Sequence, residues 1–115
     1  MTTWDSDYCG GYPSLKLENP DGTHCETIEK DLDPGDTLVW SVGQGLGTCM
    51  NMVVTLDSTL YIQTSSGNDF CPKKVSIIPA EGPAYVTNEI SDWYDKGNNN
   101  KRHTLQECKT SANHL

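Results

Sequence analysis

Along much of this chain, hydrophobic residues recur at every second position, the period of a half-buried β-strand. SLKLE (14–18) places Leu15 and Leu17 on one face, and TLVWSV (37–42) does the same with Leu38, Trp40 and Val42. MNMVVTL (50–56) aligns Met50, Met52, Val54 and Leu56, and TLYIQT (59–64) aligns Leu60 and Ile62. KVSII (74–78), AYVT (84–87) and HTLQEC (103–108) complete the series, with residues 25–28 a weaker member. Turn chemistry separates the runs. NPDG (19–22) and DPGD (33–36) combine a proline of fixed φ with a glycine free to take positive φ. SSGND (65–69), EGP (81–83) and GNNN (97–100) mark further turns, and one short helical turn is expected around 88–95. Short strands with turn signals between them predict an all-β fold, an antiparallel sandwich of about seven to eight strands. The expected organisation is an N-terminal segment over 1–12, one sandwich domain over 13–108 and a flexible tail over 109–115.

The glycine-rich stretch VGQGLG (42–47) invites comparison with phosphate-binding loops. Those loops open a helix, whose first N–H groups hold the phosphate. Here the residues after Gly47 alternate like a strand, and no Gly-Lys-Ser/Thr follows. The stretch therefore reads as a connection between strands.

Composition limits the core. In 115 residues only 35% are hydrophobic, and Phe70 is the single phenylalanine. Such a core gains from covalent support, and five cysteines are dispersed at 9, 25, 49, 71 and 108. No pair has the C-x-x-C spacing of zinc or redox sites. Dispersed cysteines in a short chain read as a disulfide framework formed in an oxidising compartment. Cys9, Cys25, Cys71 and Cys108 are the bridge candidates. Cys49 falls in the polar phase of its run, beside Asn51, and is the candidate for a thiol left over or joined to a second copy. MTTWDSDYCG has neither the basic nor the apolar region of a signal peptide. The chain is thus expected to be a mature secreted protein with an added Met1; a cytosolic protein with reduced cysteines is the alternative.

The net charge is −8, from 16 acidic and eight basic residues. Phosphate contact needs clustered Lys and Arg, and Lys73-Lys74 and Lys101-Arg102-His103 are too short to supply it. Nucleic acid is excluded as an expected partner. No run approaches the roughly 20 apolar residues of a membrane-spanning helix.

Four segments resemble the PLAT (lipoxygenase-homology) family. LDPGDTLVWSV (32–42) is similar to its turn and following strand with an inward aromatic. GLGTCMNMVVTLD (45–57) is similar to its Leu-Gly strand ending in an acid. NDFCPKKVSI (68–77) resembles its aromatic-then-Lys-Val strand, and AYVTNEISDWYDKG (84–97) its Tyr-x-Phe segment running into a Trp. The resemblance covers about residues 13 to 107. The chain departs from it in LDST (56–59), where the family carries His-Asp-Asn, and in its extra cysteines. The resemblance implies an eight-stranded sandwich that engages a membrane surface, a lipid or another protein. Some members hold Ca²⁺ through loop carboxylates at one end of the sandwich. Asp57 and Asp69, with Asn68, are the matching candidates here, and Asn51 could add an oxygen, since Ca²⁺ takes six to eight oxygen ligands. The competing reading is that these are ordinary turn residues. DLDPGD (31–36) fails as an EF-hand, because Asp36 and Val42 stand where Gly and Glu are required.

Trp4, Trp93 and Tyr94, with Tyr8, lie among polar neighbours and are candidates for a binding surface or for closing one end of the sandwich. There is no H-E-x-x-H or G-x-S-x-G, and His24, His103 and His114 are scattered, so no catalytic residue is assigned and no enzyme is expected. No cofactor is assigned, and Ca²⁺ is the candidate ion. The expectation is a secreted, non-catalytic binding module. Two alternatives are a toxin, effector or protease inhibitor acting through SSGNDFCPKK (65–74), and an extracellular structural protein linked through the odd cysteine.

Overall fold

A computed structural model describes residues 1–3, 11–64, 71–88, 90 and 101–111 of this chain. The strands are β1 (Thr2–Thr3), β2 (Pro13–Glu18), β3 (His24–Glu26), β4 (Thr59–Thr64), β5 (Pro72–Lys74), β6 (Ser76–Ile77), β7 (Ala84–Val86), β8 (Lys101–Thr104) and β9 (Lys109–Ser111). Two 3₁₀ turns, Gly47–Asn51 and Leu105–Glu107, interrupt them, and no α-helix occurs among the described residues. The fold is β-rich and compact, with a radius of gyration of 13.4 Å. That matches the roughly 13 Å expected of a folded chain this long.

The main sheet has four strands in the order β3-β2-β4-β8. It forms where the alternation is cleanest. Leu15 stands opposite Ile62 and Leu17 opposite Leu60 in the β2–β4 ladder, and Leu17 also faces Cys25 across to β3. All five are buried, so one face of the sheet is apolar, as the period of two requires. Fully burying a Leu or Ile contributes about 1.5–3 kcal/mol. The β2–β3 hairpin turns through Asn19–Gly22 as its sequence dictates. The Gly22 N–H donates to the Asn19 carbonyl (3.0 Å), and Gly22 adopts φ +88°, a region closed to most side chains.

A three-stranded sheet, β6-β7-β9, and the β1–β5 pair complete the ladders. Val75 and Tyr85 belong to the same buried cluster as Leu15, Leu17, Leu60 and Ile62. Val75 is fixed through its main chain: its N–H donates to Thr87 Oγ1 (3.0 Å), and its carbonyl accepts from the Thr87 N–H (2.9 Å). Lys109–Ser111, read above as part of a flexible tail, pairs with β7 as β9. The 103–108 run divides. Its first part lies in β8, and the 3₁₀ turn then carries Leu105 to full burial.

Two expected strands do not form. Residues 37–42 make only isolated bridges, and 50–56 begins in the 3₁₀ turn and continues as irregular chain. Leu38, Trp40, Met52 and Val54 pack partly buried against the core. Val42, Met50 and Leu56, expected inward, are exposed. The physical reason lies between the two runs. Gly43, Gly45 and Gly47 all take positive φ, and Gly47 approaches β3 so closely that a Cβ there would clash with the Glu26 carbonyl oxygen. The chain must turn where a strand would have to start.

Candidate functional site

Residues 26–57 form a lobe held, beyond Glu26, by isolated main-chain hydrogen bonds, side chains and one disulfide rather than by a regular ladder. Cys25 on β3 is bonded to Cys49 in the 3₁₀ turn, 24 residues apart in sequence. Thr48 then occupies the outer edge of β3: its Oγ1 accepts from the Glu26 N–H (2.9 Å) and donates to the Glu26 carbonyl (3.4 Å). An exposed strand edge presents unpaired main-chain groups, and here one hydroxyl bonds both those of Glu26. The expectation for Cys49 is thereby corrected. The polar-phase argument assumed a strand, whereas a 3₁₀ turn directs Cys49 toward Cys25.

Cys71 is also disulfide-bonded. Cys108, counted above among the bridge candidates, carries a half-buried thiol, which donates to the Thr104 carbonyl (3.7 Å). The second 3₁₀ turn ends just before Cys108 and packs it partly against the core.

Lys30 and Trp40 hold the other half of the lobe. Lys30 Nζ donates to the Val39 carbonyl (2.7 Å) and the Gln44 carbonyl (3.1 Å), and lies 6.0 Å from the Trp40 ring centre. Trp40 Nε1 donates to the Ile28 carbonyl (2.7 Å), and the Ile28 N–H donates to the Gly45 carbonyl (3.0 Å). The expected core role of Trp40 is therefore realised in part: its ring is half-buried and its N–H is a structural tie.

A groove of about 560 Å³ lies between the β2–β3 turn and residues 48–57. Asp21, His24, Asn51 and Asp57 supply its polar lining, and Met52 and Val53 supply an apolar strip. The turn is fastened to the lobe. Asn19 Nδ2 donates to the Val53 carbonyl (3.0 Å), and the Ser58 hydroxyl donates to Asn19 Oδ1. Asp57 accepts from Gln106 Nε2 (3.1 Å) while its N–H donates to Thr55 Oγ1 (3.2 Å). Asp21 accepts from the Thr23 N–H (2.9 Å), and hydrogen bonds from the Thr23 hydroxyl and backbone hold its carboxyl below the usual carboxylate range.

Of the candidate calcium ligands, Asp57 and Asn51 share this groove. Asp69 and Asn68 lie outside the described residues, as do Cys9, Trp4, Tyr8, Trp93, Tyr94 and most of the expected 88–95 turn. Among the described residues, no three His, Cys, Asp or Glu side chains converge as a metal site. Of the SSGNDFCPKK loop only 71–74 is described, with Cys71 buried and Lys74 exposed. Asp21 was missed by sequence reasoning, which treated NPDG only as a turn. Its signal was the turn itself, since a hairpin tip must lie beside whatever covers the sheet edge. Chemically, the groove offers carboxylates, an amide and hydroxyls around an apolar strip. Such a lining suits a ligand with both cationic and apolar groups.

Compared with known family models, curated proteins and solved structures, the chain matches none.

Proposed function

We propose that this chain is a secreted, non-catalytic binding module: a disulfide-supported β-sandwich that engages a protein partner through the 26–57 lobe. The observation that carries the reading is the exposure of apolar side chains on a clamped segment. Val39, Val42 and Val53 are 65%, 71% and 69% exposed, although the backbone bearing them is tied by Lys30, Trp40 and the Cys25–Cys49 bridge. Concentrated exposed apolar surface on a soluble domain marks an interaction site, and preorganisation lowers the entropic cost of association. Two features support the sandwich, namely the four- and three-stranded sheets and the single core cluster to which both contribute. The disulfides support an oxidising compartment. The reading does not depend on the PLAT resemblance, because 32–42 and 45–57, which carry half of it, lack regular strands.

The test is photo-cross-linking in the extracellular medium of the source cells. A benzophenone amino acid at position 53 should form a covalent adduct with a protein. The same group at exposed position 74, on β5, should not. Equal labelling at both positions, or adducts with lipid alone, would reject the protein-binding role of the lobe.

A further inference from the structure

We infer that the 26–57 lobe, with the turn that borders it, docks a basic polypeptide segment bearing apolar side chains. This deepens the reading of the chain as a binding module and rests on it. Three observations combine. First, the described residues include eight large hydrophobic side chains that are exposed, and six of them fall in this lobe: Ile28, Val39, Val42, Met50, Val53 and Leu56. The apolar surface is thus concentrated where the chain forms no ladder.

Second, charge selects the occupant. Residues 19–57 contain seven of the 16 acidic residues and one of the eight basic ones. That single cation, Lys30, points its ammonium at the Val39 and Gln44 carbonyls, so it is already spoken for within the lobe. Asp21 and Asp57 line the groove, and no Lys or Arg is among its described lining residues. Electrostatic complementarity steers association and rejects like-charged partners. An anionic membrane would be repelled. A second copy of this chain would bring acid against acid at separations shorter than the ~8 Å screening length of physiological salt. A basic partner meets Asp21 and Asp57 beside the apolar strip.

Third, the main chain beside the groove is open for pairing. Met52 is extended, with φ −74° and ψ 130°. The Val53 carbonyl accepts from Asn19, and the Thr55 N–H donates to Ser58 Oγ (3.0 Å), which ties both residues toward the hairpin side. In an extended chain the N–H and C=O of one residue point to the same side. Val53 therefore directs its N–H, like its carbonyl, toward the groove it lines, and that N–H has no hydrogen-bond partner among the described residues. An extended segment can add to such an edge: its main chain supplies affinity and its alternate side chains supply specificity. In this arrangement its lysine or arginine side chains reach Asp21 and Asp57, and its apolar side chains cover Val53 and Met52.

The probe is an alternating Lys-Val peptide of about a dozen residues, with Lys-Ser and Glu-Val peptides and phosphatidylserine vesicles for comparison. At physiological ionic strength the Lys-Val peptide should bind about tenfold or more tighter than either other peptide, because burial of its valines and pairing of its charges are both needed. Val53→Ser with Leu56→Ser should weaken it about tenfold, and Asp21→Asn with Asp57→Asn severalfold, with a reduced salt dependence. All four side chains are exposed, so each variant is first shown to melt as the parent does. Equal binding of the Lys-Ser peptide, indifference to the substitutions, capture by vesicles or dimerisation of the chain would each overturn the inference. A protein adduct at position 53 without Lys-Val binding would discard the basic partner and keep the module.

Discussion

The β2–β4 ladder and the 26–57 lobe start from the same kind of sequence and end in different structures. TLYIQT alternates and becomes a six-residue strand, with Leu60 and Ile62 fully buried. MNMVVTL alternates as well and becomes a 3₁₀ turn followed by unladdered chain. The difference lies in what meets each edge. β4 has β2 on one side and β8 on the other, so alternation is rewarded by pairing and burial together. Residues 50–56 follow a glycine that must lie against Glu26 and a cysteine that must reach Cys25. Their hydrogen bonds go instead to the side chains of Asn19 and Ser58. Alternation marks a segment able to form a strand; whether it does so depends on partners distant in sequence.

The largest expected contrast is between core and lobe. Leu60→Ala should cost about 2–5 kcal/mol, since it removes a fully buried side chain and leaves a cavity. Val53→Ala should change stability by about 0.5 kcal/mol or less, as an exposed substitution does. Denaturant unfolding of both variants checks this, and a comparable loss for the two would remove the distinction between the regions. Next comes the clamp. Replacing Cys25 and Cys49 by Ala opens a loop closed across 24 residues and should cost about 3 kcal/mol. Exchange protection should fall first at Ile28, whose N–H bonds Gly45, and last in β2 and β4. Uniform loss across both would mean that the bridge supports the main sheet directly.

Gly47→Ala should cost more than the about 1–2 kcal/mol of the left-handed backbone term, because φ is +59° and the new Cβ would also meet the Glu26 carbonyl. Gly22→Ala has open space around it, so only the backbone term applies and the loss should be smaller. The smallest effect concerns pH. The Thr23 hydroxyl and N–H depress the pKa of Asp21 in the folded state. Its contribution is therefore present above the ordinary carboxylate pKa and lost as pH falls through the depressed value. Asp21→Asn should flatten slightly the decline of melting temperature between neutral pH and pH about 3. A steeper decline in the variant would reverse the assigned sign.

These differences also explain what could be read in advance. β2, β4 and the NPDG turn were legible, because their determinants are local: alternation, a fixed proline φ and a glycine at positive φ. The bridge from Cys25 to Cys49 was not, since pairing depends on where a 3₁₀ turn brings residue 49. Nor was the burial of Trp40 legible in full. Its tie to Ile28 places it at the margin of the core, a position that strand phase alone cannot predict. Asp57 was singled out as a strand-closing acid and does line the groove; Asp21 faces it from the NPDG turn, whose place at a hairpin tip was legible although its acid was read only as a turn residue.

The central claim is that the lobe left outside the ladders is the docking face, and hydrogen exchange at residues 52–55 tests it most directly. In the free protein the Val53 amide, which lacks a partner among the described residues, should exchange rapidly, and amides in β2 and β4 slowly. Addition of the alternating Lys-Val peptide should slow exchange at Val53 and its neighbours by about tenfold or more and leave β2 and β4 unchanged. Protection that falls instead on the β6 edge at Ile77 and Ile78, or nowhere, would contradict the account.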